Sequence, residues 1–214
     1  MSTTRLLHAT LLLASLAWEF TGWLRAQGPP AEWVPFVAKW VSTTEYQAVW
    51  GTYTVVTSGV FVRDKHGSWL RRETVDSNRL LDSDLPDTAW LCDRVHHEEY
   101  ELDFRHKTFT PVGVSERDRP LSLRDFAFQH SLDKFLGEKV ISGVECEGYA
   151  IHESRHKSKY VTEDWYAPSL NYLLVERKSH RETGQKVTTL VEDIQVSEPD
   201  PRYFLLPQGF KLVK

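Results

Sequence analysis

Residues 52–75 read TYTVVTSGVFVRDKHGSWLRRETV, and this stretch decides the fold class. Its first half, residues 52–57 and 60–63, is rich in β-branched and aromatic side chains, which are enriched in β-strands. The DKHG segment that follows supplies turn chemistry, with Gly67 where a positive φ angle is expected. Residues 68–75 then return as the partner strand. The stretch therefore predicts an antiparallel β-hairpin.

Similar short strands continue along the chain after a polar loop at residues 76–87. Short runs of alternating or β-branched residues, bounded by turn residues, are typical of strands in an antiparallel meander. The predicted strands cover residues 90–95, 100–104, 107–112, 144–152, 160–166, 172–178 and 186–196. Runs of strands with segregated helices indicate the α+β class, a large antiparallel sheet with helices on one face.

The first predicted helix lies close to the N-terminal end. Its apolar residues fall at i, i+3, i+4, i+7 and i+8, the spacing of one helix face. They are Trp33, Phe36, Val37, Trp40 and Val41. Pro35 is compatible with this helix because proline is tolerated in the first turn. The pattern predicts a short helix that packs its aromatic side chains onto the sheet.

The second predicted helix follows Ser122, which with Asp125 approximates a capping box. An apolar stripe with helical spacing comes next, and Gly137 suits the position just beyond the C-terminal end. The stripe consists of Phe128, Leu132, Phe135 and Leu136.

The C-terminal tail begins where prolines end the last long strand, near Val196. Pro199 and Pro201 cannot donate to a β-ladder, and Asp200 suits the N-cap of a single helical turn. Three apolar residues of the tail, Phe204, Leu205 and Phe210, are then expected to fill one end of the sheet as ordinary core.

The first 26 residues resemble a secretory signal peptide. Arg5 provides a positive charge, residues 6–16 are apolar, and Ser15 and Ala17 provide one candidate cleavage site, with a second near Ala26. The apolar run is too short to span a bilayer. We expect residues 1–26 to be a signal peptide or N-terminal anchor and residues 27–214 to be a single domain in the periplasm or outside the cell. The alternative is an uncleaved amphipathic helix.

The composition excludes one class of function. The formal net charge is −4, whereas nucleic-acid-binding proteins need a basic surface to displace counterions. Eight Trp, eight Tyr and ten Phe allow a core built from few large side chains. We therefore expect no nucleic-acid partner.

Two cysteines leave a choice open. Cys92 and Cys146 either pair as a disulfide, which suits an oxidising compartment, or remain as two separate buried thiols. The geometry of the pair decides between the two states.

The histidines are weak candidates for a metal site. His152 and His156 are four residues apart, the spacing of two ligands on a helix, but they fall in a predicted hairpin tip. His96 and His97 belong to a predicted loop. The usual nucleophile, phosphate-binding and dinucleotide-binding motifs are missing. We therefore expect no metal, no cofactor and no enzymatic activity.

Three segments resemble a known family. Residues 139–149 (KVISGVECEGY) and 164–170 (DWYAPSL) are followed by residues 193–204 (DIQVSEPDPRYF) and LLPQGF. Together they resemble the periplasmic LolA/LolB-like and RseB-like superfamily over roughly residues 60–213. The resemblance implies a curved, half-open antiparallel barrel whose concave face is covered by two helices. In the carrier members of that family, the enclosed cavity holds lipoprotein acyl chains.

These inferences lead to a prediction of function. We expect an exported, non-catalytic, monomeric protein that binds a lipid or other hydrophobic ligand and acts near a membrane surface. The cavity residues would be Trp33, Phe36, Trp40, Phe128, Leu132 and Phe135, unless these residues simply fill the core. The alternative function is an envelope sensor or interaction module that binds another protein through an exposed sheet edge or hairpins.

Overall fold

The computed structural model of the chain describes residues 32–49, 51–77, 87–113, 123–153, 160–180 and 184–213. The described strands are β1 (Phe36–Ala48), β2 (Gly51–Arg63), β3 (Trp69–Ser77), β4 (Asp87–Asp93), β5 (Glu98–Asp103), β6 (Thr108–Val112), β7 (Lys134–Ile141), β8 (Val144–Glu153), β9 (Tyr160–Ala167), β10 (Leu173–His180), β11 (Lys186–Gln195) and β12 (Lys211–Leu212). One α-helix, α1 (Leu123–Gln129), and two 3₁₀ turns, Pro168–Leu170 and Pro201–Phe204, complete the described elements. The predicted signal peptide, residues 1–26, and most of the predicted polar loop lie outside the described residues.

The strands form one open sheet in the order β12-β6-β5-β4-β3-β2-β1-β11-β10-β9-β8-β7. Neighbouring strands are antiparallel except β12, which runs parallel to β6. β1 lies near the centre of the sheet and pairs with both β2 and β11. The chain builds one meander from β1 out to β6 and then a second meander from the opposite edge, β7, back to β11. The predicted large antiparallel sheet is confirmed, including the hairpin of β2 and β3.

The predicted helix over Trp33 to Val41 is wrong, because residues 36–41 belong to β1 and residues 33–35 lead into it. The same apolar residues also satisfy a period of two, in which Phe36, Ala38 and Trp40 share one face. Phe36 and Ala38 are buried, at 0% and 4% exposed. Hydrogen bonds from strands on both sides outweigh the helical spacing, which a short isolated segment could not stabilise alone.

The second predicted helix is present but ends earlier than its apolar stripe indicates. α1 stops at Gln129, Leu132 lies in a turn, and Phe135 and Leu136 belong to β7. Gly137 has φ +110° and lies at an irregularity in the pairing of β7 with β8 instead of capping the helix. The prediction of two helices over the sheet is therefore wrong for the part of the chain that the structure describes, which contains one.

No helix among the residues that the structure describes has both the length and the apolar character needed to cross a membrane.

The hydrophobic core consists of two clusters of buried side chains. The first joins β1 to the second meander: Phe36, Ala38, Cys146, Trp165, Ala167, Leu170, Leu173, Val175 and Val191. The second lies on the first meander: Val62, Leu70, Ala89, Leu91 and Leu102. Strand register places Val62 opposite Leu70 and Leu70 opposite Leu91, so the second cluster occupies a single face.

The C-terminal tail packs against this second cluster. Asp200 caps the turn of residues 201–204 as predicted, because its Oδ1 accepts a hydrogen bond of 2.9 Å from the backbone N–H of Arg202. Phe204 and Phe210 pack against the cluster, which agrees with the expectation that they fill the core. Leu205 does not join them and is 65% exposed.

Candidate functional site

The other face of the first meander carries aromatic and arginine side chains in alternation. In the register of β2 and β3, Phe61 lies opposite Arg71 and Arg63 lies opposite Trp69. Trp40 of β1 shares this face, because its partner on β2 is Gly59, which lies two residues before Phe61 and therefore on the same side of the sheet. Since successive side chains of a strand point to opposite faces, these five side chains share one surface.

This surface forms the wall of a cavity of about 550 Å³. Five of the described lining residues are aromatic: Trp33, Trp40, Phe61, Trp69 and Tyr172. The remaining lining residues are Arg63, Gly67, Arg71, Arg94, Gln129, Asn171, Leu173, Leu174, Arg177, Thr189 and Val191. We call this space the aromatic cavity. Its lining residues come from both meanders, which meet where β1 pairs with β11.

Trp33 reaches the aromatic cavity from the segment that precedes β1. Its indole ring lies against Gly67 in the β2–β3 turn, where a Cβ atom would come within 2.1 Å of the indole Nε1. Gly67 also has φ +87°, a conformation that favours glycine. Gly67 therefore provides both the turn and the space that Trp33 occupies.

Arg63 anchors this N-terminal segment. Its Nε and Nη2 atoms donate to the carbonyl oxygen of Val34, at 3.1 and 3.0 Å, and Nη2 also donates to the carbonyl oxygen of Leu170 at 2.8 Å. The guanidinium lies 4.7 Å from the centroid of the Trp33 ring and 4.8 Å from that of Phe36. Burial lowers the pKa of Arg63 to about 10, because desolvation penalises the charged form.

Two further arginines of the aromatic cavity pair with carboxylates. Arg177 donates from Nε and Nη2 to the two oxygens of Asp164, at 2.8 and 2.6 Å, and Asp164 is fully buried. The hydrogen bonds to this carboxylate raise the pKa of Arg177. Arg71 lies over the Trp40 ring at 5.3 Å, and its Nε is 2.8 Å from a carboxylate oxygen of Glu73.

Next to the aromatic cavity, α1 is held by a cluster of rings. Phe126 is 1% exposed and stacks on Tyr172 with ring centroids 4.0 Å apart. Tyr149 and Tyr166 meet the same ring edge-on. Burial, followed by the hydrogen bond to Glu147, raises the pKa of Tyr149 to about 12. This cluster fixes the helix over β8 to β10 and positions Gln129 at the cavity wall.

The predicted cavity residues are divided by the structure. Trp33 and Trp40 line the aromatic cavity, and Phe36 is buried beside it. The three residues predicted on the second helix are not among its lining residues. Phe128 is 81% exposed, Leu132 is 98% exposed and Phe135 is 53% exposed.

Sequence reasoning missed most of the cavity wall. The lining residues Phe61, Arg63, Trp69 and Arg71 all lie in the hairpin that was predicted correctly. Their signal was available in the sequence, because alternation along a hairpin with a known turn assigns every second residue to one face. No comparable sequence signal marks Tyr172 and Arg177, because their place in the cavity wall depends on how the strands of the two meanders are ordered in the sheet.

The two cysteines are both buried as thiols, so the structure contains no disulfide between them. Cys92 lies on β4 and Cys146 on β8, and six strands separate β4 from β8 in the sheet. Burial raises the pKa of the Cys146 thiol. Of the two predicted states, the structure shows the separate thiols.

The predicted histidine sites remain apart from the cavity. His96 is in an exposed turn, where Asp93 Oδ2 lies 2.7 Å from its Nδ1 and this hydrogen bond raises the pKa of His96. His156 and the side chain of His152 lie outside the described residues. Among the residues that the structure describes, no group of three or more His, Cys, Asp or Glu side chains could hold a metal ion.

No protein-family model matches the chain, and no curated protein matches it. PNGF-II has a TM-score of 0.36 and 10% identity over 82% of this chain and 30% of that chain, so this chain spans less than a third of its length.

Two other solved structures are similar to this chain over most of their own length. A LolA superfamily protein from Nitrosomonas europaea has a TM-score of 0.36 and 8% identity, with coverage of 83% of this chain and 91% of that chain. LprF from Mycobacterium bovis has a TM-score of 0.35 and 12% identity, with coverage of 78% and 90%. A LolA superfamily structure is thus among the solved structures to which this chain is similar.

Proposed function

We propose that this chain is an exported envelope protein that binds a lipid or other hydrophobic ligand in the aromatic cavity, without catalysing a reaction. The observation that carries the proposal is the cavity itself, a space of about 550 Å³ with three tryptophans, a phenylalanine and a tyrosine in its wall. This volume falls within the range of about 300 to 1,000 Å³ that is typical of small-molecule sites.

The chemistry of the lining supports binding. Burial of apolar ligand surface against aromatic walls contributes roughly 25 cal/mol for each Å² removed from water. The polar lining groups are arginines, the amides of Gln129 and Asn171, and the Thr189 hydroxyl. Guanidinium and amide groups orient a ligand through hydrogen bonds, whereas a covalent mechanism needs an activated nucleophile beside a base.

A pair of neighbouring threonines offers a direct test. Thr189 lines the aromatic cavity, and Thr188 on the same strand is exposed and points to the opposite face. We expect dodecanol to quench or shift the tryptophan fluorescence of the wild-type protein, and Thr189→Phe to weaken binding at least about tenfold, or 1.4 kcal/mol. Thr188→Phe is the matched control and should bind normally. Equal binding by both variants would place the ligand outside this cavity.

Export is proposed from the N-terminal sequence. Residues 1–26 would direct the chain to the envelope, and residues 27–214 would fold there as one monomeric domain. Cell fractionation followed by intact-mass measurement tests this part of the proposal. We expect a mature mass that lacks the N-terminal segment, or a membrane-associated full-length chain if the segment acts as an anchor.

A second candidate function is favoured by strand β7. It forms one end of the strand order and pairs only with β8 among the described strands. Phe135 and Val140 of β7 are 53% and 67% exposed. An edge strand with exposed apolar side chains can accept a strand from another protein.

The edge hypothesis has its own matched variants. Val140 and Val196 are similarly exposed, at 67% and 62%, but Val196 lies after β11 and away from this edge in the strand order. If a partner adds to β7, Val140→Lys should abolish its recovery by cross-linking in envelope extract, and Val196→Lys should not. Equal recovery with both variants would exclude β7 as the binding edge.

A further inference from the structure

The wall of the aromatic cavity combines aromatic side chains with positively charged arginines. Among the residues that the structure describes, four arginines line the cavity, namely Arg63, Arg71, Arg94 and Arg177, and none of the described lining residues is an aspartate, glutamate or lysine. A purely hydrophobic ligand gains nothing from guanidinium groups, whose partial burial costs free energy unless they are paired. The arginines therefore carry information about the ligand.

Arg177 is the arginine that the fold itself explains. Both of its donor contacts go to the buried carboxylate of Asp164, and this bidentate geometry leaves little for a ligand. Arg177 supports the cavity wall and is neutralised within the protein.

Arg63 is different because its partners carry no charge. Its described contacts are the carbonyl oxygens of Val34 and Leu170, the side-chain oxygen of Asn171 and two aromatic rings. Arg63 is 6% exposed, and no carboxylate contacts it among the described residues. The desolvation that lowers its pKa to about 10 is the cost of this unneutralised charge. An anion in the cavity would offset that cost.

Arg71 is positioned to contact a ligand directly. Its side chain is 40% exposed and lies over the ring of Trp40. Its Nε is 2.8 Å from Glu73 Oε1, yet this buried N–H has no hydrogen-bond partner among the described residues because the pair is poorly angled. No described contact occupies its two terminal NH₂ groups. Carboxylates and phosphates accept pairs of parallel hydrogen bonds from a guanidinium group.

We infer that the occupant of the aromatic cavity is an anionic amphiphile, with its apolar chain against Trp33, Trp40 and Trp69 and a carboxylate or phosphate head on Arg71, near the fixed charge of Arg63. This inference rests on the proposed function, since it names the chemical class of the ligand. It separates this cavity from one that takes neutral lipids. The inference also distinguishes the aromatic cavity from a simple anion site, in which the aromatic wall would have no role.

The test compares probes that share one alkyl chain. Laurate, dodecyl phosphate, dodecanol and dodecyltrimethylammonium, each below its micelle concentration, are titrated into the full chain and followed by tryptophan fluorescence and calorimetry. Inorganic phosphate is the head group without a chain. We expect laurate or dodecyl phosphate to bind at least about tenfold more tightly than dodecanol, as one charge-assisted hydrogen-bonded contact would give. The stronger of the two anions identifies the head group.

Two adjacent arginines provide the matched variants. Arg71 and Arg72 are exposed to the same degree, at 40% and 39%, and each lies 2.8 Å from a carboxylate. Arg72 points to the opposite face, where it lies 3.9 Å from the Phe104 ring centroid. We expect Arg71→Gln to weaken binding of the anionic probe about tenfold and to weaken dodecanol binding much less. Arg72→Gln should change neither.

The outcomes separate this inference from the proposed function. Equal affinity for dodecanol and the anionic probes, tighter binding of the cationic probe, or equal effects of the two arginine variants would overturn the anionic head group while hydrophobic binding stands. Inorganic phosphate that binds as tightly as dodecyl phosphate would overturn the amphiphile. Failure of all probes to bind would overturn the proposed function itself, together with this inference.

Discussion

Asp164 and Arg177 give the sharpest test of how the second meander is held together. Asp164 is 0% exposed and accepts hydrogen bonds from Arg177 Nε at 2.8 Å, from Arg177 Nη2 at 2.6 Å and from the Tyr166 hydroxyl at 3.0 Å. Arg177→Met keeps a long apolar side chain and removes the two charge-assisted bonds. The carboxylate then remains buried with a single phenol donor.

The size of the loss follows from this geometry. Removal of one partner from a buried ion pair costs about 3 to 5 kcal/mol, because the remaining charge is uncompensated. Arg177 is 44% exposed, so water screens part of the interaction and the lower end of the range applies. We therefore expect Arg177→Met to lower the free energy of unfolding by about 3 kcal/mol, measured by urea denaturation with tryptophan fluorescence.

Two comparisons make this prediction refutable. The double variant Asp164→Asn, Arg177→Met removes the buried charge as well and should recover more than half of the lost stability. Arg202→Met breaks an Arg–Asp pair of similar geometry that is exposed, and the urea midpoint should not change measurably. A loss below about 1 kcal/mol for Arg177→Met, or no recovery in the double variant, would show that the pair does not stabilise the fold in this way.

Three further predictions concern other parts of the sheet. Because the folded protein raises the pKa of Tyr149 from 10.0 to about 12, its contribution to stability is complete below pH 10 and is lost as pH rises through about 12; Tyr149→Phe should reduce the fall in unfolding free energy over that interval. A Cβ atom on Gly59 would lie 1.7 Å from a backbone carbonyl oxygen of β3, whereas one on Gly113 would meet none of the described residues within 4 Å. We expect Gly59→Ala to lower the free energy of unfolding by about 3 kcal/mol, and the thermal midpoint with it. Gly113→Ala should leave both nearly unchanged. Since Cys92 and Cys146 are buried thiols, a thiol reagent should label neither in the native protein and both in urea without a reductant; full labelling only after reduction would contradict the structure.

Much of the fold could be predicted from the sequence because strand signals are local. The hairpin of β2 and β3 was correct, since β-branched runs and the turn around Gly67 lie within a short stretch. The error over Phe36 to Val41 has a physical cause. A run dense in apolar residues satisfies both a helical and a strand period, and the two neighbouring strands that decide the outcome are distant in sequence.

The candidate site could be predicted only in part for the same reason. Trp33 and Trp40 line the aromatic cavity, although the predicted helix that was to carry them is a strand and its lead-in. Arg71 and its face could have been assigned from alternation within the hairpin. Arg177 could not, because β10 comes near β1, with β11 between them, only through the way the second meander joins the first.

The placement of β1 beside β11 has a consequence for biogenesis. The two strands are distant in sequence: the hydroxyls of Ser42 and Thr189 lie 3.3 Å apart although 147 residues separate them along the chain. Each meander can assemble from local hairpins, but the two meanders can join only after the last long strand has been synthesised. Pairings of such high contact order form slowly, and until then β1 presents an open edge to other chains. A chaperone that shields this edge would act on the chain during that interval.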